Sequence, residues 1–154
     1  MSEVRYGHVD GPGHGREVSL STVVYYHRVG GKFVYINHNR ASVCASGYNA
    51  PAGWLETSKC DAGKNGWTPV AGDKAFMIYA DAENEFELPA KEDVASLAAS
   101  QIGLCFRIVN VGATYATKQM AKVGNTTASP LLVTDVDTTN HTVKVKVHPL
   151  YRQK

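Results

Sequence analysis

The sequence predicts a mainly β single domain, and three observations predict it. The C-terminal run LLVTDVDTTNHTVKVKV ends with Val143, Val145 and Val147 alternating with Lys144, Lys146 and His148. Period two puts the valines on one face of a strand and the polar groups on the other. A second apolar run, Leu131–Val136, lies ahead of it. The cluster Asp137-Thr138-Thr139-Asn140 between them favours a turn, so the whole reads as an antiparallel hairpin. Next, VVYYHRV and KFVYI, within 18–36, are rich in the residues that suit strands. Finally, 14 Gly, 6 Pro and 8 Tyr lean the composition towards strands and turns.

Taken in order, residues 1–15 hold Gly7, Gly11, Pro12, Gly13 and Gly15 and no usable apolar period. They read as an extended N-terminal arm ahead of a single β-rich domain over 16–154. Two readings of the arm stand. One is a disordered terminus; the other is a segment that orders on a partner surface, with Tyr6, His8, Val9 and His14 as contacts. Val23–Val29 and Lys32–Asn37 are expected to form a hairpin across Gly30-Gly31, a pair able to take the positive φ of a tight turn. One long strand with a glycine bulge is the rival. Residues 38–73 are turn-rich, with a short strand around Trp54–Glu56. Lys74–Tyr79 is a near-continuous apolar run suited to a buried strand. Glu85–Leu88 alternates as a further strand. Pro89 then opens KEDVASLAAS, where Val94, Leu97 and Ala98 share a helical face and Glu92 and Asp93 suit the helix N-terminus. This is the one short helix expected. Leu104–Asn110 is a core strand interrupted by Arg107, with Cys105 as a small core residue. Thr114–Val123 is ambiguous between strand and helix. The C-terminal hairpin and the Val23–Asn37 segment together predict one closed or two-layered β core.

The totals narrow the function. At 154 residues the chain suits one domain with a real core. A net charge of +2 with scattered cations argues against nucleic acid, whose binders are more basic on one face. No apolar run approaches the ~20 residues of a membrane span. The N-terminus lacks the apolar core of a signal peptide, so a protein made in a cytosol and kept or assembled there is expected. Cys44, Cys60 and Cys105 are an odd, widely spaced set, which disfavours a disulfide framework.

Chemical signatures are weak. The sequence GPGHG at 11–15 lacks the Lys-Ser/Thr pair of a phosphate loop. The six histidines and three cysteines show no metal-ligand spacing, so no metal or cofactor is expected. Cys44 or Cys60 with His27 or His38 is the candidate thiol site, with nothing to activate the thiol. Glu85 and Glu87 share a strand face, and Asp135 and Asp137 offer too few ligands for calcium. Trp54 and Trp67 read equally as a carbohydrate platform or as core and interface anchors, and with Tyr48 they are candidates for an oligomer or partner surface. The expectation is a protein that is not an enzyme.

Four stretches carry a family likeness: RYGHVDGPGHG, YYHRVGGKFVYI, ENEFELPA and ATKQMAKVGNTTASPLLVTDVDTTNHTVKVKVHP. In style and order the chain resembles the small head decoration (cement) proteins of tailed bacteriophages, especially those of phages of aquatic bacteria and cyanobacteria. The resemblance implies a small antiparallel β-barrel or β-tulip-like body. It also implies a homo-oligomer, with a trimer favoured, that clamps adjacent major capsid protein subunits on the outer surface of the virion. Terminal arms that reach across neighbouring subunits are part of the same expectation. Another phage structural part, such as a head–tail or tail component, and a carbohydrate-binding β module are the alternatives.

Overall fold

The computed structural model describes residues 7–22, 26–27, 31–44, 50–55, 61–64, 66–91, 97–111, 118–123, 129–151 and 153. The fold is mainly β. Its strands are β1 (Gly7–Asp10), β2 (Gly15–Leu20), β3 (Tyr26–His27), β4 (Lys32–Asn37), β5 (Arg40–Val43), β6 (Gly53–Leu55) and β7 (Gly66–Trp67), then β8 (Lys74–Tyr79), β9 (Glu85–Pro89), β10 (Cys105–Val111), β11 (Lys118–Val123), β12 (Leu131–Asp137) and β13 (Thr142–Val147). Six of them form an antiparallel sheet in the order β1-β9-β13-β12-β10-β11. Five others pair in a closed cycle, β2-β5-β4-β6-β8 and back to β2, here called the ring. The short β3·β7 pair stands beside them.

The C-terminal hairpin forms as the alternation predicts. Leu131 pairs with Val147 and Asp137 with Thr142, and Val143, Val145 and Val147 are buried in the sheet's core. The turn is held by Asp137, whose Oδ1 accepts from the backbone N–H of Thr139 and Asn140. Those bonds from Asn140, then from Thr139, hold the Asp137 carboxyl below its usual range.

Strand β4 explains why KFVYI has no polar face. Phe33 packs into the core of the six-stranded sheet with Tyr35 partly buried beside it, whereas Val34 packs with Val18, Leu20, Leu55 and Met77 inside the ring, with Ile36 partly buried there. The strand is thus a wall shared by two cores. At their junction the Phe33 ring meets Trp54 at 4.8 Å and Phe86 at 5.2 Å, both edge-to-face. Such pairs add about 1 kcal/mol each beyond the area they bury.

Among the described residues the predicted Val23–Val29/Lys32–Asn37 hairpin is not formed; residues 23–25 and 28–30 lie outside them. Tyr26 pairs with Trp67, and β4 pairs with β5 and β6 instead. The tight turn lies on the far side of β4, at His38-Asn39, both with positive φ (46° and 63°). That matches a two-residue hairpin turn, and His and Asn tolerate it better than most residues. Gly31 serves close approach: a Cβ there would meet the Leu55 carbonyl and the Trp54 indole.

Three further expectations are corrected. Ala98 is extended (φ −147°, ψ 162°) and only a three-residue 3-10 turn, Ala99–Gln101, follows; the predicted helix is absent there, and residues 92–96 lie outside those described. Without a following α-helical turn, the expected Leu97–Ala98 face has nothing to continue it. Lys74–Tyr79 is a strand whose faces alternate: Met77 points into the ring, whereas Phe76 is 53% exposed. Cys105 is half-buried, because it belongs to the outward face of β10, opposite Phe106 and Ile108. The ambiguous Thr114–Val123 stretch supplies strand β11; residues 114–117 lie outside those described.

The segment 7–15 is built into the body. Strand β1 pairs with β9 through Gly7↔Glu87 and His8↔Phe86. His8 Nε2 lies 3.1 Å from Asn84 Oδ1, which also accepts from the Gly13 N–H at 2.9 Å. Asn84 is fully buried, so these bonds satisfy an amide that would otherwise be costly. Gly11 has φ +96°, and a Cβ there would strike the Glu83 carbonyl.

One residue of β11 ties the two cores together. Gln119 Oε1 accepts from the Phe33 N–H at 2.7 Å, and its Nε2 donates to the Phe33 and Cys44 carbonyls at 3.1 and 3.2 Å. All three bonds are buried. We expect Gln119→Leu to destabilise the protein by about 3 kcal/mol, because it strands the buried Phe33 N–H and removes two further buried bonds. Gln153 bonds Ile36 in the same two-point manner at an exposed position, and Gln153→Ala is expected to cost under about 1 kcal/mol. Urea unfolding measures both; equal losses would refute the bridging role of Gln119.

Candidate functional site

The predicted contact residues disperse. Tyr6, Tyr48 and Cys60 lie outside the described residues. His8 is occupied with Asn84 and stacks edge-on against Phe86 at 5.8 Å. Val9 and His14 are exposed on the same segment. Trp54 is 1% exposed and Trp67 8%. Both indoles are core, Trp54 following Gly53, where a Cβ would strike the Ile78 carbonyl of the neighbouring strand; neither offers an open face to a partner or a sugar. Cys44 is buried, and burial pushes its thiol up, the opposite of an activated nucleophile. Glu85 and Glu87 each accept a hydroxyl bond at 2.6 Å, from Thr134 and Thr142 respectively. Among the described residues no group of three His, Cys, Asp or Glu could hold a metal.

What the fold does assemble is an open cleft of about 370 Å³ at one end of the ring, lined by Arg16, Ile36, Ala52, Met77, Tyr79 and Gln153. Mouths of β-barrel-like structures are frequent binding sites. Strand pairing builds it. Arg16 stands opposite Met77 on β2·β8, and Tyr79 opposite Gly53 on β6·β8. The Tyr79 N–H donates to the His14 carbonyl at 2.8 Å, which extends the ladder to the rim. Gln153 closes one side: its N–H donates to the Pro51 carbonyl, and its amide bonds both backbone groups of Ile36.

The floor is apolar Met77 and the rim carries a guanidinium and a phenol. Among the described residues no carboxylate pairs with Arg16. Gln153 is already committed to Ile36. The cleft therefore presents donors and an apolar base, and it suits capture of an acceptor-bearing group rather than proton transfer. On the outer face of β8, Phe76 adds a large exposed ring beside Glu17. Arg, Tyr and Phe are the residue types enriched at protein interfaces. Nothing in the sequence singled out these three, since they are scattered and their strand faces cannot be read without the ring.

Two buried polar groups sit deeper. Lys32 is 4% exposed, and it shares a face of β4 with Val34, towards the ring core that also holds Tyr26. Among the described residues the buried Tyr26 hydroxyl has no hydrogen-bond partner. Burial holds the Lys32 ammonium down to about 8, against an ordinary 10.5, and pushes the Tyr26 phenol up. Between pH 8 and 10.5 the unfolded chain therefore carries more of the Lys32 proton than the folded one. Stability contributed at this site rises with pH across that window. Tyr26 and Cys44, raised in the fold, act in the opposite sense at high pH, so the measurement is a difference. We expect Lys32→Met to exceed the parent in stability by about 3 kcal/mol at pH 7, with the advantage shrinking towards pH 10.5. A difference that stays constant with pH would overturn this.

Comparison with known proteins finds no matching family model, no matching curated protein and no matching solved structure.

Proposed function

We propose that this chain is a virion structural protein, a decoration protein that binds the outer surface of a phage capsid and reinforces its lattice of major capsid protein. The observation that carries the reading is the rim of the ring. Arg16, Phe76 and Tyr79 stand exposed on strands β2 and β8, which are hydrogen-bonded on both sides. A partner can bury them without the entropic cost of ordering a loop. The donor-lined cleft between Arg16 and Tyr79 accepts a protruding side chain or carbonyl from that partner. The resemblance of the Gly-rich N-terminal stretch, of YYHRVGGKFVYI and of the C-terminal third to cement proteins supports the same conclusion. Oligomerisation, with a trimer favoured, would multiply such contacts through effective concentration.

The structure changes how this reading is tested. Deleting residues 1–15 would remove strand β1 and leave the buried Asn84 amide without two of its partners, so fold and binding would fail together. Removal of residues 1–6 alone avoids this. The purified protein is expected to co-sediment with expanded capsids at hundreds of copies per particle and to raise their heat stability. The triple substitution Arg16→Ala, Phe76→Ala, Tyr79→Ala is expected to weaken binding at least about 100-fold, as for interface hot spots, with an unchanged circular dichroism spectrum. Six or twelve copies would replace decoration with a connector ring. Failure to bind, with capsids lacking the protein equally heat-stable, would refute the proposal.

A further inference from the structure

The outward face of the six-stranded sheet follows from the buried one. Phe106, Ile108 and Ala121 point into the core, so Cys105, Arg107 and Val109 on β10 and Met120 and Lys122 on β11 point away from it. Arg107 stands directly opposite Lys122 in the antiparallel register. Side chains so placed have Cβ atoms about 5 Å apart, and two cations there repel. The rest of the face avoids this arrangement: Lys144 stands opposite Glu87 on one side and Asp135 on the other. Among the described residues no carboxylate forms an ion pair with Arg107 or Lys122. The Arg107 Nε–H is moreover sealed from solvent and has no hydrogen-bond partner. A buried unpaired donor on a charged group is costly, and here it coincides with a like-charge pair.

We propose that Arg107 and Lys122 form a binding site for a divalent oxyanion, a phosphate or sulfate group. One such group answers the like-charge pair, reaching the guanidinium through its accessible Nη groups. It supplies two negative charges for two cations, and its oxygens accept from the Arg107 fork while a further oxygen meets the Lys122 ammonium. A single carboxylate would neutralise only one of the pair. Half-buried Cys105, Val109 and Met120 flank the two cations on the same face, and this apolar surround weakens competition from water. The site lies on a different sheet from the ring mouth, and it stands whether or not the chain decorates a capsid.

The test is a titration of the full chain at pH 7.5 and constant ionic strength, followed by calorimetry and by the Nε–H resonance of Arg107. The probes are sodium phosphate, sodium sulfate, phenyl phosphate and sodium acetate. Phosphate and sulfate are expected to bind saturably and at least about tenfold tighter than acetate, shifting the Arg107 resonance. Tighter binding of phenyl phosphate than of inorganic phosphate assigns the site to a phosphate monoester; the reverse assigns it to the free ion. Lys122→Gln is expected to lower phosphate affinity at least about tenfold. Lys122→Glu converts the repelling pair into an attracting one, so it is expected to raise the melting temperature without phosphate and to abolish the phosphate response. Equal responses to phosphate and acetate, or an unchanged phosphate affinity in Lys122→Gln, would overturn the proposal.

Discussion

The side-chain amide of Gln119 is the interaction on which the arrangement of the two β bodies depends. Strand β4 is asked to do two things at once: it walls the ring on one face and the six-stranded sheet's core on the other. Its neighbour β5 ends at Val34↔Val43; just beyond it the Cys44 N–H still donates to the Phe33 carbonyl, but the Phe33 N–H on that edge needs another partner. A buried peptide group left unpaired would be expensive. Gln119 carries one donor group and one acceptor on a planar amide, the same geometry as a peptide, and it reaches Phe33 from the other sheet. The aromatic contacts of Phe33 with Trp54 and Phe86 are then made in a fixed register. Asn110 adds a bond to the Cys44 carbonyl from the same direction.

The same substitution of side chain for strand occurs at the other end of β4. There β6 diverges beyond Val34↔Gly53, and Gln153 bonds Ile36 where a further strand residue would sit. Because Ile36 and Gln153 both line the ring mouth, the shape of the cleft depends on this second amide. Fold and candidate site are therefore linked through one strand: what completes its hydrogen bonding also builds the wall against which Arg16 and Tyr79 are displayed.

Local pattern made much of this visible. Alternation marked β9 and β13, and apolar runs marked β4, β8 and β10 within a residue or two. What failed was pairing. Gly30-Gly31 is a strong local turn signal, yet the nearby Trp54 indole fills the space beside Gly31. The pairing of Tyr26 with Trp67 spans a turn-rich stretch with no pattern to announce it. The helix expected in KEDVASLAAS rested on a periodicity too short to outweigh extended backbone at Ala98. Trp54 and Trp67 looked like surface anchors because tryptophan suits both interface and core, and only burial decides. The site residues Arg16, Phe76 and Tyr79, and the opposed Arg107 and Lys122, become neighbours through strand register, which is a property of pairs of segments and not of either segment alone.

The position of β13 in its sheet bears on how the protein comes to be folded. This strand is synthesised after every other described strand, yet it lies third in the sheet, between β9 and β12. Strands β1 and β9 can pair with each other early, and the chain just after β9 meets β11 at the Ala90–Ala121 bridge, but their ladder to β12 and β10 runs through Thr142–Val147. The buried Gln119–Phe33 bonds close over a separation of 86 residues. Contacts this distant in sequence are slow to form, since the chain must lose loop entropy before they return any energy. A growing chain therefore holds the apolar faces of β4 and β9 incompletely covered until the β12–β13 hairpin arrives, and completion of the body is a late, cooperative event triggered by that hairpin.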